Sequence, residues 1–212
     1  MLKIRWHGHA CWEVTNEKTI VTDPHDGKSI GIPEPNVHAD IILVSHDHYD
    51  HNSVKSVEKE GSKVIKDERK RNIFDIEIKG FESFHDEAGG TKRGKNIIYK
   101  FNTGDIVFCH LGDLGHDLDE GLVERLGKID VLFIPIGGTF TVDDKKAWNI
   151  IRKIEPKIVI PMHYKVGGLS LPIAGIDAFL EQNPYKVLHV GNEIEIDKEE
   201  LPEEPEVWTF AL

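Results

Sequence analysis

The sequence predicts an α/β protein with sheets inside and helices outside, and three observations predict it. The first 23 residues carry β-branched and aromatic runs joined by short turns. An apolar run, Ile41-Ile42-Leu43-Val44, breaks directly into a histidine-rich segment. From residue 119 onward, helical and strand patterns alternate.

The N-terminal strands are expected at Leu2–Trp6, Cys11–Thr15 and Thr19–Thr22, with Asn16-Glu17 as a hairpin turn. Residues 24–38 hold three prolines and read as a long loop, a length that often serves function. Ile41–Val44 suits a strand covered on both faces. Ser53–Lys59 is expected to be a helix, capped by Asn52 or Ser53 and ended by Gly61. Further strands are expected near 63–66, 73–78, 97–101 and 106–109. Helices are then expected at Asp119–Leu126, Asp143–Ile154 and Ile173–Gln182, each followed by a strand: Val131–Pro135, Ile158–Pro161 and Val187–Val190. The acidic segment 197–206 reads as surface, with Trp208 and Phe210 anchoring the last residues. The 212 residues suit one domain, residues 1–212.

Composition narrows the class. Hydrophobic residues make up 39% and charged residues 30%, which gives a sizeable core and a solvated surface and excludes disorder. A net charge of -11 argues against a nucleic-acid binder, which needs a basic face, but leaves room for a local basic pocket. Two cysteines, Cys11 and Cys109, make no disulfide framework and read as buried thiols. The N-terminus lacks the apolar run of a signal peptide, and no segment reaches the roughly 20 apolar residues of a membrane span. The reading is a soluble, cytoplasmic protein acting on a small molecule, with a homo-oligomer left open.

The chemistry concentrates in Ser45-His46-Asp47-His48-Tyr49-Asp50-His51. Four potential ligands occupy six positions just past a buried strand. In an extended turn His46 and His48 point the same way, while Asp50 and His51 fall where the chain turns. Imidazole suits zinc, iron or nickel, and a carboxylate adds charge compensation. One histidine and one aspartate would suit a polar helix cap, but three histidines and an aspartate at this spacing favour a metal. Such a segment cannot enclose two ions alone. His85, Asp113 and His163 each follow an apolar run, as ligands converging on one sheet edge would.

The ordered set His46-x-His48-x-Asp50-His51, His85, Gly112-Asp113 and His163 resembles the metallo-β-lactamase superfamily, over residues 4 to 190 or so. Gly8-His9-Ala10, Ile134-Pro135-Ile136-Gly137-Gly138 and Pro161-Met162-His163-Tyr164 resemble its compact metal-dependent hydrolases, the group near ascorbate-6-phosphate lactonase. The resemblance implies a four-layer αββα sandwich with two divalent metal ions, zinc foremost and manganese, nickel or iron as alternatives. It implies that His46, His48 and His85 hold the first ion, that Asp50, His51 and His163 hold the second, and that Asp113 bridges them. Asp23 would orient a ligand histidine from behind, since such an imidazole needs a partner on its other nitrogen. The family often shows Gly-Asp-Thr where this chain has Gly112-Asp113-Leu114, which touches a supporting hydrogen bond rather than the ligand. His110 competes with His85 as the third histidine, and His85 is favoured.

A metal-activated water would then attack a carbonyl carbon or a phosphorus, cleaving an ester, lactone or phosphodiester bond. Asp50 and Asp113 would position the ions and accept protons, and His116 is a candidate proton donor to the leaving group, set against a plain loop role. His9 is read equally as a pocket or a structural residue. His7 is likewise near a strand end, His25 reads as a loop residue, and His38 and His189 as structural. Trp6, Trp12 and Trp148 read as packing residues, Gly137-Gly138 as too short for a phosphate cradle. Lys92, Arg93 and Lys95 form a basic loop that suits either solvent or an anionic substrate. Two other classes compete: a redox-active di-iron protein, whose relatives usually carry Glu where this chain has His48, and a non-catalytic metal-binding module, which would lack a ligand.

Overall fold

A computed structural model describes residues 1–212. Fourteen strands form two sheets. The first has the order β13-β1-β2-β3-β4-β5, from β1 (Leu2–Trp6), β2 (Trp12–Thr15), β3 (Thr19–Thr22), β4 (Ala39–Leu43), β5 (Glu58–Ile65) and β13 (Glu193–Ile196). The second has the order β12-β14-β11-β10-β9-β8-β7-β6, from β6 (Arg71–Ile73), β7 (Ile76–Phe84), β8 (Lys95–Thr103), β9 (Ile106–His110), β10 (Val131–Pro135), β11 (Ile158–Met162), β12 (Lys186–His189) and β14 (Glu206–Thr209). Helices α1 (Glu120–Leu126), α2 (Asp144–Ile154) and α3 (Asp177–Glu181) complete the fold.

Strand alternation explains the layering. In β2 and β3, Trp12, Val14 and Ile20 turn to the main core, while Cys11 and Val21 turn to a smaller cluster with Ile42, Val44 and Val57. Trp12 stacks on Trp6 at 5.6 Å and meets Phe133 of the other sheet at 4.8 Å, so an aromatic layer joins the sheets. The same apolar cluster runs on to Leu122, Trp148 and Phe179, which seat the three helices on the second sheet. Asp119 and Asp143 cap α1 and α2 by accepting from Leu122 N and Lys146 N. Both cysteines are buried and free. No helix is long and apolar enough to cross a membrane.

Four expectations need correction. The strand expected near 73–78 is a hairpin: β6 ends at Ile73, Phe74 and Asp75 turn at positive φ, and β7 starts at Ile76. Ser53–Lys59 is not a helix: a 3-10 turn, Val54–Ser56, leads straight into β5. Val57 is fully buried on the outer face of the first sheet, and the β-branched valines favour strand over helix there. The outer layer on that side is therefore this turn and the 24–38 loop. Helix α3 starts at Asp177 rather than Ile173, because Ala174 N and Ala174 O are bonded to Gly137 O and Lys165 N. The last residues are more than an anchor: β14 lies between β11 and β12 with parallel pairing on both sides, and β13 pairs with β1.

β3 and β4 in one sheet, and β9, β10 and β11 in the other, run parallel to one another. Their carboxyl ends open at one edge of the sandwich, where α/β sheets commonly place ligands. Tyr99 of β8 donates to Val44 O and Ile65 O, both at 3.1 Å, which ties the sheets together beside that edge.

Candidate metal centre

The histidine-rich segment leaves β4 at Leu43, and the first residue to act is Ser45. Its N–H donates to Asp23 Oδ1 at 2.7 Å and its hydroxyl to Asp23 Oδ2 at 2.6 Å. With its proton committed to Asp23, the Ser45 hydroxyl accepts from His46 Nδ1 at 2.8 Å. His46 is therefore protonated on Nδ1, and its Nε2 is a bare lone pair, buried without a partner. Asp23 also accepts from His51 Nδ1 at 3.1 Å, which fixes the same tautomer in His51. One carboxylate thus orients two imidazoles, one of them through a serine.

The other candidates converge. His85 follows β7, Asp113 follows β9 and His163 follows β11. Asp113 Oδ2 is faced by His85 Nε2 at 3.1 Å, His163 Nε2 at 3.2 Å, His51 Nε2 at 3.3 Å and His46 Nε2 at 3.8 Å. His46, His48 and His85 form one group with ligand atoms within 4.8 Å of each other. Asp50 Oδ2 lies 3.6 Å from His51 Nε2 on the other side. The seven residues expected as ligands are brought together, with His48 half-exposed and the rest buried.

His110 stays out: its Nε2 donates to Ala10 O at 3.0 Å and its Nδ1 accepts from Gly112 N at 3.1 Å. The structure groups His85, not His110, with His46 and His48. His116 also stays out. Its Nδ1 donates to Asp117 O at 2.7 Å and its Nε2 accepts from Phe84 N at 3.1 Å. A ring with both nitrogens on backbone has no proton for a leaving group, which corrects that expectation. His7 pairs with Glu13 at 2.9 Å, and His25 bridges His7 O and Gly27 N, so both are structural.

The sequence singles out His9 and Gly112 without fixing their roles and gives no signal for Asn96. His9 is fully buried and its Nε2 lies 3.1 Å from Asp50 Oδ2. Asn96 accepts from Asp113 N at 2.9 Å and donates to Leu111 O and Ser83 Oγ, holding the loop of the central carboxylate. Gly112 has φ +56, and a Cβ there would lie 2.3 Å from Asn96 Oδ1 and 2.6 Å from Ser45 Cβ. Of the seven non-glycine residues with positive φ, three, His9, Asp23 and His163, stand at the ligand cluster, and the others lie in turns and at the end of α2.

The electrostatics suit cations. Burial pushes His46 down to about 3, helped by His51. Burial and the neighbouring His163 push His9 to about 3. Burial would raise Asp113, but His163 and His51 outweigh it and hold the carboxyl well below its usual range. Asp50 is likewise held low against burial by His9 and His51. Burial would lower His51, but Asp113, Asp23 and Asp50 outweigh it and push it well up, so the cluster draws positive charge, a proton or an ion, to its centre. Orphaned His46 Nε2 and Asp113 Oδ1 mark where it would sit. The donor set, imidazole with carboxylate, fits a borderline divalent ion such as zinc.

A cavity of about 210 Å³ opens over this cluster, lined by His48, Tyr49, Asp50, His85, Asp113 and His163 on one side and Arg93, Phe140 and Leu171 on the other. Arg93 lies over the Phe140 ring at 4.4 Å. A second cavity, about 350 Å³, shares His48 and Arg93 and adds Lys66 and Lys95. Asp86 fixes the basic loop by accepting from the backbone N–H of Ala88, Gly90, Lys92 and Arg93.

The family model described as "Beta-lactamase superfamily domain" matches residues 3–163, which include every proposed ligand. The chain belongs to the metallo-β-lactamase superfamily. A metal-dependent hydrolase of Methanosarcina mazei is 30% identical over 194 residues, covering 77% of this chain and 83% of that protein. One of Thermoplasma acidophilum is 29% identical over 192 residues, covering 79% and 85%. A crystal structure from Thermotoga maritima, assigned to the metallo-β-lactamase superfamily as a candidate Zn-dependent hydrolase, is 39% identical with a TM-score of 0.82, covering 99% of this chain and 98% of that one. The two-sheet architecture above is the metallo-β-lactamase fold.

Proposed function

We propose that this chain is a metal-dependent hydrolase that holds two divalent ions, zinc foremost, and cleaves an ester, lactone or phosphodiester bond of a small anionic substrate. One observation carries the reading: Asp113 Oδ2 is faced by imidazoles of both ligand groups, His46 and His85 on one side, His51 and His163 on the other. Asp113 would help hold both ions, with His46, His48 and His85 at the first and with Asp50, His51 and His163 at the second. Ions held there supply Lewis acidity and an acidified water at neutral pH. The chain's own residues do the rest. Asp23 and Ser45 keep the lone pairs of His46 and His51 pointed inward. Asp50 lines the cavity and is the carboxylate placed to take a proton from the attacking water. Gly27-Lys28-Ser29-Ile30-Gly31 matches the Gly-x-Ser-x-Gly pattern, but Ser29 sits in an exposed loop turn with its hydroxyl donating to Asp26 Oδ1, so it is no nucleophile elbow and attack by water needs no covalent intermediate.

The anionic preference rests on Arg93. It lines both cavities, its guanidinium is stacked on Phe140, and none of the chain's ion pairs uses it. A free guanidinium beside a water-attack site suits a carboxylate or phosphate of the substrate.

The test begins with elemental analysis of untagged protein beside His48→Ala. Two transition-metal ions per chain, largely lost in the variant, support the reading; none after reconstitution overturns it. Screening of anionic esters, lactones and phosphodiesters follows. Arg93→Ala is expected to raise KM at least tenfold for anionic substrates and to leave neutral analogues within twofold. An equal effect on both would remove the anionic assignment.

A further inference from the structure

His9 is the buried group that the proposed mechanism leaves unused. Its Nε2 lies 3.1 Å from Asp50 Oδ2 and 3.1 Å from His51 Nε2. Ligand atoms of His9, His51 and His163 all fall within 4.8 Å of one another, the same compactness as His46, His48 and His85. Two ligand atoms bound about 2.1 Å from one ion stand roughly 3.0 Å apart at an octahedral angle and about 3.4 Å at a tetrahedral one, so both 3.1 Å contacts fall within the separation of shared coordination.

The other nitrogen tells the same story. His9 Nδ1 is buried with no hydrogen-bond partner, the pattern also found in His85 and His163. All three rings turn Nε2 into the cluster and leave Nδ1 unattended. His9 packs against His163 at 4.2 Å between ring centroids and against His51 at 4.7 Å. Its backbone is fixed to the same ligand, since His9 O accepts from His163 N at 3.1 Å and from Trp6 Nε1 at 3.2 Å. A non-glycine residue at φ +55 is strained, and this one is held in place from both sides.

We infer that His9 is itself a ligand at the second metal position. This inference rests on the two-ion reading above. The second position then takes His9, Asp50, His51 and His163 with Asp113, while the first takes His46, His48 and His85 with Asp113. The two positions become unequal. The second has five protein ligands and the first four, and both reach the cavity, the second through Asp50 and His163 and the first through His48 and His85. A position rich in protein ligands suits an imidazole-preferring divalent ion of five or six coordination.

The competing reading is that His9 only donates a hydrogen bond to Asp50. Affinity alone does not separate the two, because supporting residues also cost 10–100-fold when removed. The experiment is therefore a crystal structure of the zinc-loaded protein with anomalous data. His9 Nε2 is expected about 2.0–2.1 Å from the second ion. In solution, wild type, His9→Asn and His9→Gly are titrated with Co(II) and followed by d–d absorption, with no activity needed. Both replacements tolerate the left-handed backbone. Loss of His9 is expected to change the absorption of the second ion and to weaken it at least tenfold, with the first ion unchanged. Two bound ions with His9 Nε2 beyond 3 Å of both, and an unchanged Co(II) spectrum in the variants, would overturn the assignment while sparing the hydrolase reading. Wild-type protein that takes fewer than two ions would overturn both.

Discussion

Single residues decide how close the ligand loops can come. Gly112 sits where Ser45 and Asn96 meet behind Asp113, with no room for a methyl group. Gly112→Ala is expected to cost about 2–4 kcal/mol, from the left-handed backbone and the clash together. It should also lower metal content, because the displaced atoms belong to Ser45 and Asn96; thermal denaturation and elemental analysis check both. A residue away from the metals gives a pH test. Glu13 pairs with His7 at 2.9 Å and Lys3 at 3.0 Å. Burial alone would raise its carboxyl, but His7 and Lys3 outweigh it and lower it from 4.5 to about 2. A depressed folded-state value means the pair contributes fully above about 4.5 and fades as pH falls towards 2. Glu13→Gln should therefore cost about 2 kcal/mol at pH 7, with the gap between variant and wild type closing over that window in a pH series of melts. A constant gap would remove the ion pair as its cause. At this scale the ligands were readable because metal binding needs rare residue types in tight spacing. His116 misled because spacing does not reveal that a ring is turned to backbone. Asn96 and Ser45 gave no signal because polar residues near a motif are common and only packing distinguishes them.

Elements were readable where pattern and packing agree. Strands β1, β3 and β10 fall where β-branched runs place them, and α1 and α2 begin behind their aspartate caps. Three of the four misses share a cause: a partner distant in sequence took the backbone hydrogen bonds. Glu58–Ile65 pairs with β4, residues around 174 bond to residues 137 and 165, and β14 inserts beside β11. The acidic stretch before β14 disguised a strand that is paired on both sides, second from the edge of its sheet. Val207 is fully buried in it and pairs with Val159 on one side and Val187 on the other. Val207→Asp should cost at least about 4 kcal/mol, since it buries an unpaired charge between two ladders. Denaturant unfolding checks this, and a change below 1 kcal/mol would show that β14 is dispensable.

The molecule as a whole is a sandwich closed at one edge by its ligand cluster. The expected ligands run from His46 to His163 and come from both sheets. Ions held there would bind the folded state and not the unfolded chain, so they stabilise by mass action. With one ion site saturated at about 1,000 times its dissociation constant, the gain is about 4 kcal/mol. Chelation should then lower Tm by roughly 8–16 °C for a chain of this size. Calorimetry with and without chelator checks it, and zinc should restore the melt. The α/β class was legible from the alternation of elements, and the two-sheet arrangement came through the family resemblance. Which sheet each strand joins was not legible, because β13 and β14 leave a hairpin-like tail for different sheets.

That late strand has a consequence for synthesis. β11 ends at Met162, and β14, its neighbour in the sheet, starts at Glu206. At about 5–20 residues per second, roughly 2–9 seconds separate their translation. The same interval separates their emergence from the ribosome, and through it the nascent chain presents an open, wholly apolar strand edge, Ile158–Met162, next to an unfinished ligand cluster. The ribosome-bound chain is thus most exposed to self-association after its last ligand, His163, has emerged and before Glu206 has, and pausing in that stretch would lengthen the hazard.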